Sequence, residues 1–119
     1  MMPKLARVAP DLPGGWGITS AVASGRMELG EFQRVIEVTF GDRDRARGLP
    51  SSVAWLAEEV GELAQAVRKG ARDDQVHEIG DVLAWLTSLA NQLGIGLDEA
   101  AQRYARGCPR CAASPCRCP

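Results

Sequence analysis

Four carboxylates stand in two pairs that have the same spacing. Glu59 and Glu62 are three residues apart, Glu78 and Asp81 are three residues apart, and residues 63–77 separate the pairs. On a helix, side chains three apart are neighbours on one face. Carboxylates that are crowded together and shielded from water repel one another, and a cation relieves that repulsion. The spacing therefore predicts a metal site, provided that each pair lies on a helix and the two helices meet.

The predicted site offers only oxygen atoms, which indicates a hard cation. Mg²⁺ binds carboxylates, retained waters and substrate phosphates, and Mn²⁺ accepts a similar set. We expect His77 to point to another face of its helix as an ordinary surface histidine, so zinc is not expected here. Glu58 is a further carboxylate, beside Glu59. We expect it either to hold a second metal ion or orient a water, or to be exposed to solvent.

Apolar residues recur at spacings of three and four along most of the chain, which predicts an all-α fold. Strict alternation and β-branched runs, the marks of strands, are absent. Capping residues and glycines then predict the ends of the helices. Helix one covers residues 28–40, helix two runs from a cap at Ser51 or Ser52 to Lys69 and Gly70, helix three runs from Asp73 or Asp74 to Gly94, and helix four covers residues 97–106.

Helices two and three should pair. Each carries an apolar stripe beside its two carboxylates: Val53, Leu56, Val60, Leu63 and Val67 on helix two, and Ile79, Val82, Leu83, Leu86, Leu89, Ala90 and Leu93 on helix three. Because the turn between them is short, the helices should be antiparallel neighbours. The two acidic pairs lie at similar distances from the turn, so we expect all four carboxylates to face one another at one level.

Composition divides the chain into three parts. Residues 1–26 contain prolines and glycines without a sustained apolar period and are predicted to be disordered. Met27 directly precedes the first helical pattern and is an alternative start of the protein. Residues 27–106 form the predicted helical domain, and residues 107–119 form a Cys-rich tail. At 119 residues the chain holds one domain at most.

Charge and hydropathy exclude some partners. The formal net charge is −1, so the chain lacks the basic surface typical of proteins that bind nucleic acid polymers. No apolar run reaches the roughly 18 to 20 residues that cross a bilayer, and the first residues do not resemble a secretory signal. We therefore expect a cytoplasmic protein without a membrane partner.

The tail carries every cysteine of the chain. Cys108 and Cys111 form a CxxC pair, and Cys116 and Cys118 form a CxC pair. Four thiolates suit Zn²⁺, although the interval between the pairs is shorter than in common zinc modules. A disordered, redox-sensitive tail is an equal alternative, and an iron–sulfur cluster is a third.

The acidic segments "EEVGE" and "EIGD" resemble the EExxE and ExxD signature of the all-α nucleotide pyrophosphohydrolases, in particular the short MazG-like proteins. "EFQRVI" resembles the first helix of that family. The resemblance covers residues 28–106, and the segment "QRYARGCPRC" departs from the family's pattern. It implies a four-helix, bundle-type domain that forms a homodimer or homotetramer.

The resemblance also implies an activity. A nucleoside triphosphate would be hydrolysed to the monophosphate and pyrophosphate, with magnesium held by Glu59, Glu62, Glu78 and Asp81. Removal of damaged or excess nucleotides is the role expected of such an enzyme. Hydrolysis of phosphoribosyl-ATP uses a similar scaffold, but its pattern fits this chain less well. The alternative from another class is a non-catalytic helical interaction module with a metal-binding Cys tail.

Two further groups are candidates for substrate binding. Trp55 and Trp85 each stand four residues from a carboxylate, so both rings could stack on a base. Packing against helix one or a second subunit is the alternative for both. Lys69 and Arg103 are candidate partners of the triphosphate, together with Arg68, Arg72 and Arg106, although each of these could equally be a solvated surface charge.

Overall fold

The computed structural model describes residues 25–119 and contains four α-helices in that range. They are α1 (Leu29–Arg47), α2 (Leu49–Lys69), α3 (Arg72–Leu93) and α4 (Leu97–Ala101), and a short 3₁₀ helix follows at Gln102–Tyr104. No strand occurs in this range, which confirms the all-α class. The segment predicted to be disordered lies outside the described residues except for its last two positions. Within the described range, every helix is too short or too polar to cross a membrane.

The predicted loop between helices one and two is wrong. Helix α1 continues to Arg47, and Gly48 alone separates it from α2, with a left-handed φ of 87°. The charges that resembled a loop instead form ion pairs along the helix, such as Arg45 with Asp42 and Arg47 with Asp44. Oppositely charged side chains three apart stabilise a helix by a few tenths of a kcal/mol per pair.

The predicted cap of helix two is also wrong. Helix α2 begins at Leu49, directly after Gly48, and has a proline in its first turn, where a missing N–H costs nothing. Ser52 lies inside the helix and is completely buried. Its hydroxyl oxygen accepts a hydrogen bond of 2.9 Å from Gln92 Nε2, which ties α2 to α3.

Helices α2 and α3 form the predicted antiparallel hairpin. Only Gly70 and Ala71 connect them. A Cβ atom at position 70 would come within 2.7 Å of the Ala66 carbonyl oxygen, so glycine is required at this turn. The Asp74 carboxylate accepts the Ala71 N–H at 2.9 Å, whereas the predicted cap at Asp73 or Asp74 lies inside the first turn of α3. Because the turn is short, it determines which residues of α2 lie opposite which residues of α3.

The predicted apolar stripes are largely exposed. On α2, Val53, Val60 and Val67 are 53%, 49% and 64% exposed; on α3, Ile79, Leu83, Leu86 and Leu93 are also exposed. The faces that α2 and α3 turn inward carry the acidic pairs, Trp85 and small residues such as Ala66 and Ala84. We call the exposed residues Val53, Val60 and Val67 the α2 stripe, and Ile79, Leu83, Leu86 and Leu93 the α3 stripe.

Helix α1 packs mainly against α3 and holds the start of α4 in place. Gln33 Nε2 donates to the Ile95 carbonyl oxygen, and Gln33 Oε1 accepts the Leu97 N–H, both at 2.8 Å. Helix α3 ends at Gly94 as predicted, with a left-handed φ of 67°. Helix α4 is shorter than predicted, because its last turns become the 3₁₀ helix.

Candidate metal centre

The hairpin brings the two acidic pairs together. One carboxylate oxygen from each of Glu59, Glu62 and Glu78 lies within 4.8 Å of the others. Asp81 joins through Glu78, because oxygens of Glu78 and Asp81 lie within 4.8 Å of each other and of a His77 nitrogen. Glu78 thus belongs to both groups. We call Glu59, Glu62, Glu78 and Asp81 the acidic cluster, and it joins α2 to α3 halfway along the hairpin.

Burial makes this cluster costly without a cation. Glu59 and Glu78 are 9% exposed, and Asp81 is 6% exposed. Glu59 Oε2 is buried and has no hydrogen-bond partner in the described part of the chain. Loss of hydration raises the pKa of Glu59 to about 7, and the negative charges of Glu62, Asp81 and Glu78 add to this effect. Positive charge near Glu59 would therefore relieve this cost.

The atoms of the cluster fit a hard divalent cation. The carboxylates of the two helices supply oxygen, which is the donor that Mg²⁺ and Mn²⁺ prefer, and a His77 nitrogen lies near the oxygens of Glu78 and Asp81. A buried carboxylate oxygen without a hydrogen-bond donor is the kind of atom that a cation satisfies. The residues present thus suit magnesium, with Glu59, Glu62, Glu78 and Asp81 as the groups to hold it.

The prediction that His77 points away from the cluster is wrong. His77 Nε2 lies 3.3 Å from Asp81 Oδ2, and the imidazole is partly buried. The two residues are four apart on α3, so they share a face. That spacing is visible in the sequence and is enough to place His77 beside Asp81. The imidazole therefore lies beside the Asp81 carboxylate.

Three predicted site residues stay apart from the cluster. Glu58 is exposed and belongs to neither group of converging atoms within residues 25–119, which favours the solvent-exposed alternative. Lys69 is exposed at the end of α2, seven residues beyond Glu62 and so about 10 Å further along the axis at about 1.5 Å per residue. Arg103 lies in the 3₁₀ helix, and its guanidinium carbon is 6.0 Å from the centre of the Tyr104 ring.

Comparison with known families agrees with this geometry. Residues 47–110, more than half of the chain, match the MazG nucleotide pyrophosphohydrolase domain. The chain belongs to this family. The match includes both acidic pairs. Helix α1 precedes it almost entirely, and the last three cysteines follow it. The resemblance noted from the sequence is therefore confirmed for helices α2 to α4.

Two other proteins are similar to this MazG domain in sequence. The Gene 37 protein of Mycobacterium phage L5 is 36% identical over 74 residues, which cover 53% of this chain and 65% of the phage protein. The uncharacterised protein YpjD of Bacillus subtilis (strain 168) is 46% identical over 61 residues, which cover 43% of this chain and 55% of YpjD. The chain thus spans less than two thirds of the length of both relatives.

In this MazG domain the two tryptophans pack against each other. The rings of Trp55 and Trp85 are stacked, with centroids 6.0 Å apart and an angle of 12° between their planes. Trp85 is only 5% exposed, and the guanidinium carbon of Arg47 lies 5.3 Å from its centroid. Trp55 is half-buried. Arg47 is a residue that the sequence did not predict at this position, because its segment resembles a loop.

The four cysteines of the tail form a second, separate cluster. The sulfur atoms of Cys108, Cys111, Cys116 and Cys118 all lie within 4.8 Å of one another. None of the four forms a disulfide. Hydrogen bonds from the backbone N–H groups of Arg117 and Ala113 lower the pKa of Cys111 to about 6, and those of Cys111 and Arg110 lower the pKa of Cys108.

Proposed function

We propose that this MazG domain hydrolyses a nucleoside triphosphate to the monophosphate and pyrophosphate, with Mg²⁺ held by Glu59, Glu62, Glu78 and Asp81. One observation carries the proposal: carboxylate oxygens of Glu59, Glu62 and Glu78, from two helices, lie within 4.8 Å of one another, and Glu59 Oε2 is buried without a hydrogen-bond partner among the described residues. A purely structural hairpin gains nothing from such an arrangement, since buried like charges destabilise it. The family supports a nucleotide as the substrate.

The reaction adds water to a phosphorus atom of the triphosphate. The bond between the first and second phosphates breaks, and pyrophosphate leaves. Magnesium, when bound, supplies the positive charge that stabilises the phosphoryl oxygens and prepares the attacking water. The chain positions the four carboxylates. Helix α2 carries Glu59 and Glu62, and α3 carries Glu78 and Asp81. His77 Nε2 lies 3.3 Å from Asp81 Oδ2 and would hold that carboxylate in place.

The remainder of the substrate needs a surface for the base and cations for the phosphates. Trp55 is half-buried and stands one helical turn from Glu59, so we assign base stacking to its outer side. The Trp85 ring stacks on the Trp55 ring, and the Arg47 guanidinium lies over Trp85. Lys69 and Arg103 are the proposed partners of the phosphates furthest from the acidic cluster.

Pyrophosphate release from a panel of canonical and modified ribo- and deoxyribonucleoside triphosphates tests the activity. We expect release with magnesium or manganese and none with a chelator, because the carboxylates alone repel the phosphates. Phosphoribosyl-ATP belongs in the panel as a related substrate. A panel without any release would contradict the enzyme and favour a helical interaction module, for which the exposed α2 and α3 stripes would be the contact surface.

We also propose that the domain is at least a dimer. The core of the described chain is small, consisting of Ile36, Ala66, Ala84, Trp85 and Ala90. Small domains bury little surface by themselves, and exposed apolar patches mark sites of association. A second copy would cover the α2 stripe and the α3 stripe. The second subunit would then complete the surface around the substrate.

A charge placed on the α2 stripe should separate the subunits. We expect the wild-type protein to elute as a dimer or a tetramer in light scattering, and Val60→Lys to shift it toward the monomer. Val38→Lys is the matched control, because Val38 is 56% exposed on α1, outside both stripes, and Val60 is 49% exposed. Elution of the wild type as a monomer at micromolar concentration would contradict the dimer.

A further inference from the structure

The Cys-rich tail has a folded backbone although it has no core of its own. It contains neither helix nor strand beyond Tyr104. A turn closes from Cys108 to Ala113, where the Cys108 N–H donates to the Ala113 carbonyl oxygen at 3.0 Å and the Ala112 N–H donates to the Cys108 carbonyl oxygen at 2.7 Å. Gly107 permits the turn: its φ is 95°, and a Cβ there would meet the Ala113 carbonyl oxygen at 2.8 Å.

This turn brings the CxxC pair against the CxC pair. Cys108 Sγ lies 3.7 Å from Cys118 Sγ, and Cys111 Sγ lies 3.9 Å from Cys116 Sγ. Each contact joins one sulfur of the first pair to one sulfur of the second. The four sulfurs thus surround a common point, rather than forming two isolated pairs.

The distances match the requirement of one particular ion. Four sulfurs bound tetrahedrally at about 2.3 Å from a zinc ion lie about 3.8 Å from one another. We infer that Cys108, Cys111, Cys116 and Cys118 form a structural Zn²⁺ site, in which all four positions around the ion are filled by thiolates. This site is separate from the acidic cluster and from the proposed hydrolysis.

The surroundings of the sulfurs suit a site with a net negative charge. The backbone N–H groups of Arg117 and Cys118 point at Cys111 Sγ and Cys116 Sγ, each at 3.4 Å. Such donors stabilise thiolates and the sulfur atoms of metal-bound cysteines. Arg110 and Arg117 stand beside the ligands in the sequence and offset part of the negative charge that four thiolates leave around Zn²⁺.

Two alternatives to zinc are less favoured. Iron has the lower affinity for such ligands, and disulfides do not explain the arrangement of the four sulfurs. Zn²⁺ lies above Fe²⁺ in the order of affinities for such ligands. Two disulfides would pair the sulfurs but would not require four of them to lie within 4.8 Å of one another. The family match ends at residue 110, before three of the four cysteines. The zinc site is therefore a property of this chain's own tail.

Metal analysis of the full chain, purified under reducing conditions, tests the inference. We expect about one zinc per chain after dialysis against excess magnesium, and less than about one tenth in Cys116→Ser, because three thiolates leave the ion open to water. Ser114→Ala is the control, since it changes the tail without removing a sulfur. Substitution with Co²⁺ should give the charge-transfer absorption of thiolate ligands, which carboxylates cannot produce.

Limited trypsin digestion gives a second measurement that does not depend on metal content. With zinc bound, cleavage after Arg110 and Arg117 should be slow, and Cys116→Ser or a strong chelator should make it several-fold faster. Two results would overturn the inference: four freely titrating thiols without metal, or bound iron in place of zinc.

Discussion

Replacement of Glu59 by glutamine should lower pyrophosphate release on the order of 100- to 1000-fold, the range typical when one electrostatic stabiliser of a transition state is removed. The glutamine keeps the shape of the side chain but loses the charge at the centre of the acidic cluster. Asp81→Asn should have a similar effect, because an oxygen of that carboxylate lies within 4.8 Å of a Glu78 oxygen in the cluster. Initial rates at several magnesium concentrations measure both the rate and the metal requirement.

The matched control is Glu99→Gln, which makes the same change at an exposed position of α4. It should stay within about twofold of the wild type, as surface changes usually do. Circular dichroism of all three variants checks that the helices are retained. Full activity of Glu59→Gln would refute the assignment of the acidic cluster as the metal site. Equal losses in Glu59→Gln and Glu99→Gln would point to a general defect in the preparation.

Glu58→Gln separates the two interpretations of the neighbouring glutamate. Glu58 is exposed and belongs to neither group of closely spaced acidic and histidine side chains in the described part of the chain. We expect a loss of less than about threefold, as at other solvated positions. A loss as large as that of Glu59→Gln would instead support a second metal ion or an oriented water at Glu58. The same rate measurements with magnesium give the answer.

The hairpin and the position of the acidic cluster on it could be predicted, because the residues that determine them are close together in the sequence. Spacing of three within each pair and a short turn between the helices suffice to bring Glu59 toward Asp81, whatever surrounds them. The tail is similar, since CxxC and CxC limit how far apart the sulfurs can lie. In both cases a few residues near one another in sequence determine the geometry.

Other features depend on contacts between distant residues, and there the predictions were wrong. The period of Val53, Val60 and Val67 shows that an apolar stripe exists but not which neighbour covers it. The period predicts a contact between helices, yet the stripe is exposed. Helix α1 extends past Phe40 because its charges pair along the helix, and composition alone resembles a loop. His77 could have been placed correctly by its spacing from Asp81.

The acidic cluster should also control how stability depends on pH. Glu59 has a pKa of about 7 in the folded chain, above the ordinary glutamate value of 4.5. Between these values Glu59 holds a proton in the folded state that it has released in the unfolded state, so its contribution to stability in a chelator should fall as pH rises from about 4.5 to 7. The charges that face Glu59 are those of Glu62, Asp81 and Glu78, with His77 beside Asp81.

The size of this effect follows from the pKa. One pKa unit corresponds to about 1.4 kcal/mol, so between about pH 5 and pH 8 the metal-free wild type should lose on the order of 3 kcal/mol relative to Glu59→Gln. The Glu59→Gln variant has no charge to bury at this position. It should be more stable than the wild type at about pH 8 in chelator, although it is the less active enzyme. Urea unfolding at both pH values measures the difference.

Magnesium should reverse the trend, because it binds the deprotonated cluster and stabilises the folded state to a degree set by its affinity. The rise in melting temperature on adding magnesium should be larger at about pH 8 than at about pH 5.5 in the wild type. In Glu59→Gln it should be small at both pH values, and Glu99→Gln should behave as the wild type. A magnesium effect that is equal at the two pH values would show that the ion does not bind the acidic cluster, because the charge of Glu59 changes between them.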